Sequence, residues 1–106
     1  MKELIEGKVA AIIDDFTIVI NRGKREGVQE GEYFVIFKLG EEIRDSETGE
    51  SLGIFEIVKR RVEVRHMQEK MSTCCYIPID HFVQIEEEAV EIGDFVRSCT
   101  YAPLYF

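Results

Sequence analysis

Thr17–Phe37, TIVINRGKREGVQEGEYFVIF, decides how this chain folds. It opens on an apolar, β-branched run and closes on another, Glu32–Lys38 (EYFVIFK). Between them lies a polar loop with Gly23, Gly27 and Gly31 at every fourth position. That spacing imitates a helix. Three glycines without an apolar stripe specify successive turns instead, with glycine supplying left-handed backbone. Val28 is the loop's one apolar residue and is expected to plug a barrel end. Part of the stretch recurs. Val28-Gln-Glu-Gly31-Glu32-Tyr33-Phe34 is echoed by Val90-Glu-Ile-Gly93-Asp94-Phe95-Val96. Both read Val-x-x-Gly-acid-aromatic-apolar, a turn opening into a strand.

Working outward, Gly7–Ile13 and Phe16–Ile20 read as a tight hairpin turning at Asp14-Asp15, because Asp bonds its own main chain and tolerates turn backbone. Glu32–Lys38 is apolar on both faces and should be a central, covered strand. Gly40–Gly53 is a polar hairpin flanked by Ile43 and Leu52, with turn formers over Asp45–Gly49. In Ile54–His66 the apolar alternation changes face near Lys59, which predicts a bend or β-bulge there. Met71–Ile79 is a fifth strand limited by Pro78, and Phe95–Cys99 a sixth. His81–Glu91 is the one short helix candidate. The expected fold is all-β: one domain over 1–106, a small, partly closed barrel of about six strands, OB-like or SH3-like.

A length of 106 residues fits one domain, and 45% hydrophobic content supports a core. The net charge of −8 repels a phosphate backbone, so a nucleic-acid partner is not expected. An OB-like binder of single strands would need aromatics beside a basic groove, and the aromatics here fall mostly in core strands. No apolar run is long enough to span a bilayer, and MKELIEGKV has no signal-peptide core. Three cysteines, two of them adjacent, are no disulfide framework and suit a reducing compartment. A cytoplasmic location is expected, or a periplasmic one if the chain is an excised module of a secreted protein.

Ile18-Val-Ile-Asn-Arg-Gly23 followed by Gly27-Val28-Gln-Glu-Gly31-Glu32-Tyr33-Phe34 resembles the strand–turn–strand signature of the β domain that ends the bacterial flagellar H-ring assembly protein, and of related envelope-assembly modules. The likeness runs on through Gly40–Gly53, Val62–Ser72 and Ile92-Gly93-Asp94, and so covers roughly Gly7–Arg97. Cys74-Cys75 stand where that family has small residues. The resemblance implies a barrel-like module that mediates assembly without catalysis, and it carries no catalytic or metal residue onto this chain.

Cys74-Cys75 with Asp80-His81 has the residue types of a thiol nucleophile and its base, serving a small-ligand or hydrolytic site at a barrel mouth. A buried core cysteine is the plainer account. Cys74, Cys75, Cys99, His66 and His81 lack metal-ligand spacing, so no metal or other cofactor is expected. Asp45–Glu50 alternates carboxylates but is too short for a calcium loop. Three features point to a protein partner or self-association. One is the hairpin tip, with Arg44, Asp45 and Glu47. Another is a basic strand face formed by Lys59, Arg61 and Arg65. The last is the apolar tail, with Tyr101, Leu104, Tyr105 and Phe106. The expected function is a non-enzymatic interaction or assembly scaffold.

Overall fold

The structure, a computed structural model, describes residues 4–78 and 88–99. It is all-β. The strands are β1 (Glu6–Asp14), β2 (Thr17–Ile20), β3 (Tyr33–Arg44), β4 (Ser51–Met67), β5 (Ser72–Tyr76) and β6 (Phe95–Cys99), with one 3-10 turn at Lys24–Glu26. All neighbours are antiparallel, and the sheet closes in the order β1-β2-β5-β4-β3-β6. The ring is not a regular barrel, because bulges and unequal strand lengths distort it. Inside it Val9, Ile18, Ile20, Val28, Phe34, Ile36, Val62, Val64, Cys74 and Val96 form the core. Val28, the loop's apolar residue, is among them. The helix proposed for 81–91 falls mostly outside the described residues, and 88–91 is not helical.

The sequence echo is a structural repeat. Gly31 and Gly93 sit at φ 84° and 96°, each third in a four-residue turn. Glu32 N–H donates to Gln29 O at 3.1 Å, and Asp94 N–H to Glu91 O at 3.1 Å. Each acid also reaches back. Glu32 Oε1 accepts from Gln29 N–H at 3.1 Å, and Asp94 Oδ2 from Glu91 N–H at 2.7 Å. Each glycine then docks on a neighbouring strand, Gly31 N–H on Val64 O and Gly93 N–H on Val9 O, both at 2.9 Å. Val64 and Val9 return bonds of 2.8 Å to the Glu32 and Asp94 carbonyls.

The correspondence extends around the ring. A pseudo-two-fold exchange of β3 with β6, β4 with β1 and β5 with β2 reproduces the register. Val35↔Arg61 matches Arg97↔Glu6, and Val64↔Cys74 matches Val9↔Ile20. Even the bulges correspond: Ala10 in β1 and Arg65 in β4 are the unpaired residues at equivalent places. A β-bulge increases local twist, which a small closed sheet needs on both sides.

One element breaks the symmetry. β3 beyond Phe37 has no partner on β6, and β5 meets β4 only from Val62. From Lys38 to Arg44 and back from Ser51, the two strands continue as a ribbon, the arm, that pairs with no other strand among the described residues, and the molecule measures 48 × 32 × 27 Å. Asp45 turns the tip by accepting from Glu47 N–H at 2.7 Å and Thr48 N–H at 3.4 Å. At the arm's base an outer-face stack joins β3 and β6. Phe37 and Phe95 stack at 5.7 Å, and Arg97 lies 4.7 Å from the centre of the Phe37 ring.

Two local expectations need correction. The first hairpin turns at Asp15-Phe16 rather than Asp14-Asp15, with Asp14 Oδ1 accepting from Phe16 N–H at 2.8 Å. Gly27 does sit at φ 90°, but Gly23 has extended backbone at φ −142°. Gly23 is required by close approach. A Cβ there would lie 2.3 Å from Gln68 O, 2.6 Å from Met71 N and 2.7 Å from Glu69 O. All three atoms are backbone, and Lys24 N–H bonds Gln68 O beside them. Gly23→Ala should therefore lower stability by about 1–3 kcal/mol in urea unfolding, as overpacking does. An unchanged midpoint would mean that the 68–71 connection yields freely.

Candidate functional site

β4 explains both what the sequence analysis found and what it missed. The predicted bulge falls on Lys59: Ile36 pairs with Arg60 and Phe37 with Val58, leaving Lys59 without a partner on β3. The bulge shifts the alternation, so Val62 and Val64 point into the core above it. It also turns Lys59 inward, to 1% exposure. This corrects the basic-face expectation, since Lys59 is no surface cation. Its Nζ donates to Asp94 Oδ2 at 2.8 Å and to Ala89 O at 2.9 Å, with Glu91 Oε1 at 3.6 Å. Burial pulls the Lys59 ammonium down, but the hydrogen bond and charge of Asp94, helped by Glu91, outweigh it and leave the net shift upward. The pair clamps the β4 bulge to the Gly93 turn.

The other proposed basic residues do not join into one face. Arg61 is half-buried in the ring, where its carbonyl accepts from Ile77 N–H at 2.9 Å. Arg65, exposed on its own bulge, pairs with Glu63 at 3.4 Å. Arg44, Asp45 and Glu47 do lie together at the arm tip. There Arg44 is engaged by Glu42 at 3.0 Å and Gly49 O at 3.0 Å, and Asp45 by the turn. Tyr101, Leu104, Tyr105 and Phe106 lie outside the described residues, as do Asp80 and His81.

Cys74 belongs to the core at 0% exposure, and burial pushes its thiol up to about 12, with Cys75 adding to the rise. That direction opposes thiolate formation, so Cys74 is poorly suited to be a nucleophile. Cys75 and Cys99 are half-buried, and burial raises Cys99 as well. Among the described residues no group of three or more His, Cys, Asp or Glu side chains is arranged to hold a metal ion.

Two surface features remain. A cleft of about 470 Å³ beside the first hairpin is lined by Ile12, Asp14, Asp15, Arg60, Tyr76 and Glu88, among others. Arg60 lies 4.3 Å from the centre of the Tyr76 ring there. Three carboxylates around one guanidinium give the cleft no clear preference for an anion.

The second feature is the arm. Leu39, Ile43, Leu52, Ile54, Phe55 and Val58 are all exposed on it, Leu52 at 63% and Phe55 at 57%. Because paired residues share a face, Leu39, Ile54 and Val58 lie on one side, and Ile43 and Phe55 on the other. A shallow groove of about 400 Å³ runs between Ile43 and Leu52–Glu56. Sequence reasoning placed Ile43 and Leu52 on a polar hairpin, and Ile54, Phe55 and Val58 in a long strand of the barrel. The only signal against that was the length of β4 relative to its neighbours.

Compared with known proteins, the chain matches no family model and no curated protein. No helix among the described residues is long and apolar enough to cross a membrane.

Lys59→Met should destabilise the fold by about 3–5 kcal/mol in urea unfolding, because it strands the Asp94 carboxylate in a closed site. A loss below about 1 kcal/mol, the range of exposed pairs, would contradict the burial of this pair. Alkaline titration gives a second check. The unfolded chain releases the Cys74 proton near its ordinary 9.0, and the folded chain near 12. Between those values the folded state binds more protons, so stability falls as pH rises through the window. Lys59, also raised, adds to the loss at its upper end. Cys74→Ala should flatten the slope of unfolding free energy against pH above 9, and an unchanged slope would refute the assignment.

Proposed function

We propose that this chain is a non-enzymatic interaction or assembly module and that the β3–β4 arm is its contact element. One observation carries the reading: six large apolar side chains stand exposed on both faces of a ribbon outside the closed ring. Exposed apolar surface of this extent marks interaction sites, and a two-stranded ribbon in water is marginal without something packed on it. The core needs none of these residues, since ten others fill it. The resemblance to the flagellar H-ring β domain points the same way, towards assembly.

The experiment is quantitative capture from the native host with the wild type and the double variant Leu52→Asp/Phe55→Asp as bait. Both side chains are exposed, so the variant should keep its free energy of urea unfolding to within about 0.5 kcal/mol. Any protein or second copy held by the wild type should fall at least tenfold. A capture profile that the variant does not alter would remove the arm from the contact.

A further inference from the structure

We propose that the outer edge of the arm, Ser51–Val58 of β4, pairs antiparallel with the same edge of a second copy across a two-fold axis. The inference rests on the arm being the contact element and names what it contacts.

Closure of the ring pairs the body strands over most of their length; among the described residues β1 beyond Val9 and β4 beyond Val64 each have a short one-sided stretch, and the longest open edges lie on the arm. The two open edges differ. On β3, the stretch Lys38–Arg44 carries Lys38, Glu41, Glu42 and Arg44, the charged guarding that keeps edges from pairing. On β4, the stretch SLGIFEIV has one charge, Glu56, and no proline. Glu56 is drawn away from the free side. Arg97 on β6 reaches across β3 and donates to its two carboxylate oxygens at 3.0 and 2.5 Å. The hydrogen bond from Arg97 lowers the Glu56 carboxyl below its usual range, so the charge stays paired where it is. What faces outward is an unguarded, β-branched and aromatic edge.

The missing charge also decides the occupant. A partner chosen by charge needs complementary groups to read, and this edge offers none. A second copy of the edge matches it in length and is apolar on both faces, with Ile54 and Val58 on one side and Phe55 on the other. Two-fold pairing turns two marginal ribbons into one four-stranded sheet, beyond the three strands that independent stability asks for. Mutual repulsion between chains of net charge −8 is weak in this arrangement. The two bodies sit at opposite ends of the joint sheet, about 25 Å apart for seven or eight extended residues. That is about three screening lengths at physiological salt.

The test uses the full chain at physiological salt, by sedimentation velocity over a concentration series and by amide exchange at the two extremes. The expected result is a mass of twice 12.3 kDa at high concentration. Amides within Ser51–Val58 should then exchange at least tenfold more slowly than in the dilute monomer. Phe55→Lys should shift the association to at least tenfold higher concentration, whereas Leu39→Lys, which leaves the β4 edge intact, should shift it less. A monomer at every concentration would overturn the proposal, even if the arm still captured a different protein. So would a dimer indifferent to Phe55→Lys. A dimer without added protection over Ser51–Val58 would overturn it too, because side-chain packing between faces leaves those amides open.

Discussion

The buried contact between Lys59 and Asp94 joins directly two strands, β4 and β6, that otherwise meet through β3. Lys59 is the extra residue of a bulge, and Asp94 closes the second glycine turn. Their 2.8 Å bond holds the point where β4 leaves the ring against the point where β6 enters it. A buried ion pair is a poor source of net stability, because desolvation offsets most of the attraction. Its use here is specification. Sliding the bulge by one residue would put Val58 or Arg60 in the place of Lys59 and leave Asp94 facing an apolar group or a longer, forked cation.

The pseudo-two-fold arrangement explains where function can reside. Two turn-and-strand units with the same hydrogen bonds close one ring, and within it each polar main-chain group of a strand can find a neighbour. Departures from the repeat are therefore informative. On one side β3 continues into the arm and returns as β4. At the equivalent place on the other side β6 and β1 lie together and hold the two described chain ends. The ring is thus a closed body, and the arm is the one long element among the described residues that leaves it.

Much of this was legible in the sequence, and for identifiable reasons. The glycine–acid–aromatic echo marked both turns because a left-handed residue there admits glycine most readily. The change of face in Ile54–His66 predicted a bend or bulge near Lys59, and the bulge falls there. Sequence could not say which way Lys59 points, because a bulge reverses the parity that alternation relies on, and so a buried lysine was read as part of a basic surface. The arm was hidden for a related reason. Leu39, Ile43, Ile54 and Phe55 have the composition of core strands. Their exposure follows only from β5 and β6 being too short to flank them, which is a property of the sheet and not of the segment. Gly23 passed for one more turn residue, when its constraint comes from backbone 45 and more positions further along.

A double-mutant cycle on Lys59 and Asp94 tests the central claim most directly. Lys59→Met, Asp94→Asn and the combined variant would be compared with the wild type by urea unfolding. If the pair anchors the bulge to the turn, the double variant should lose less than the sum of the single losses, with a coupling of about 1–3 kcal/mol. Additive losses would show that the two side chains do not depend on one another, and the account of how the ring holds its arm would fail.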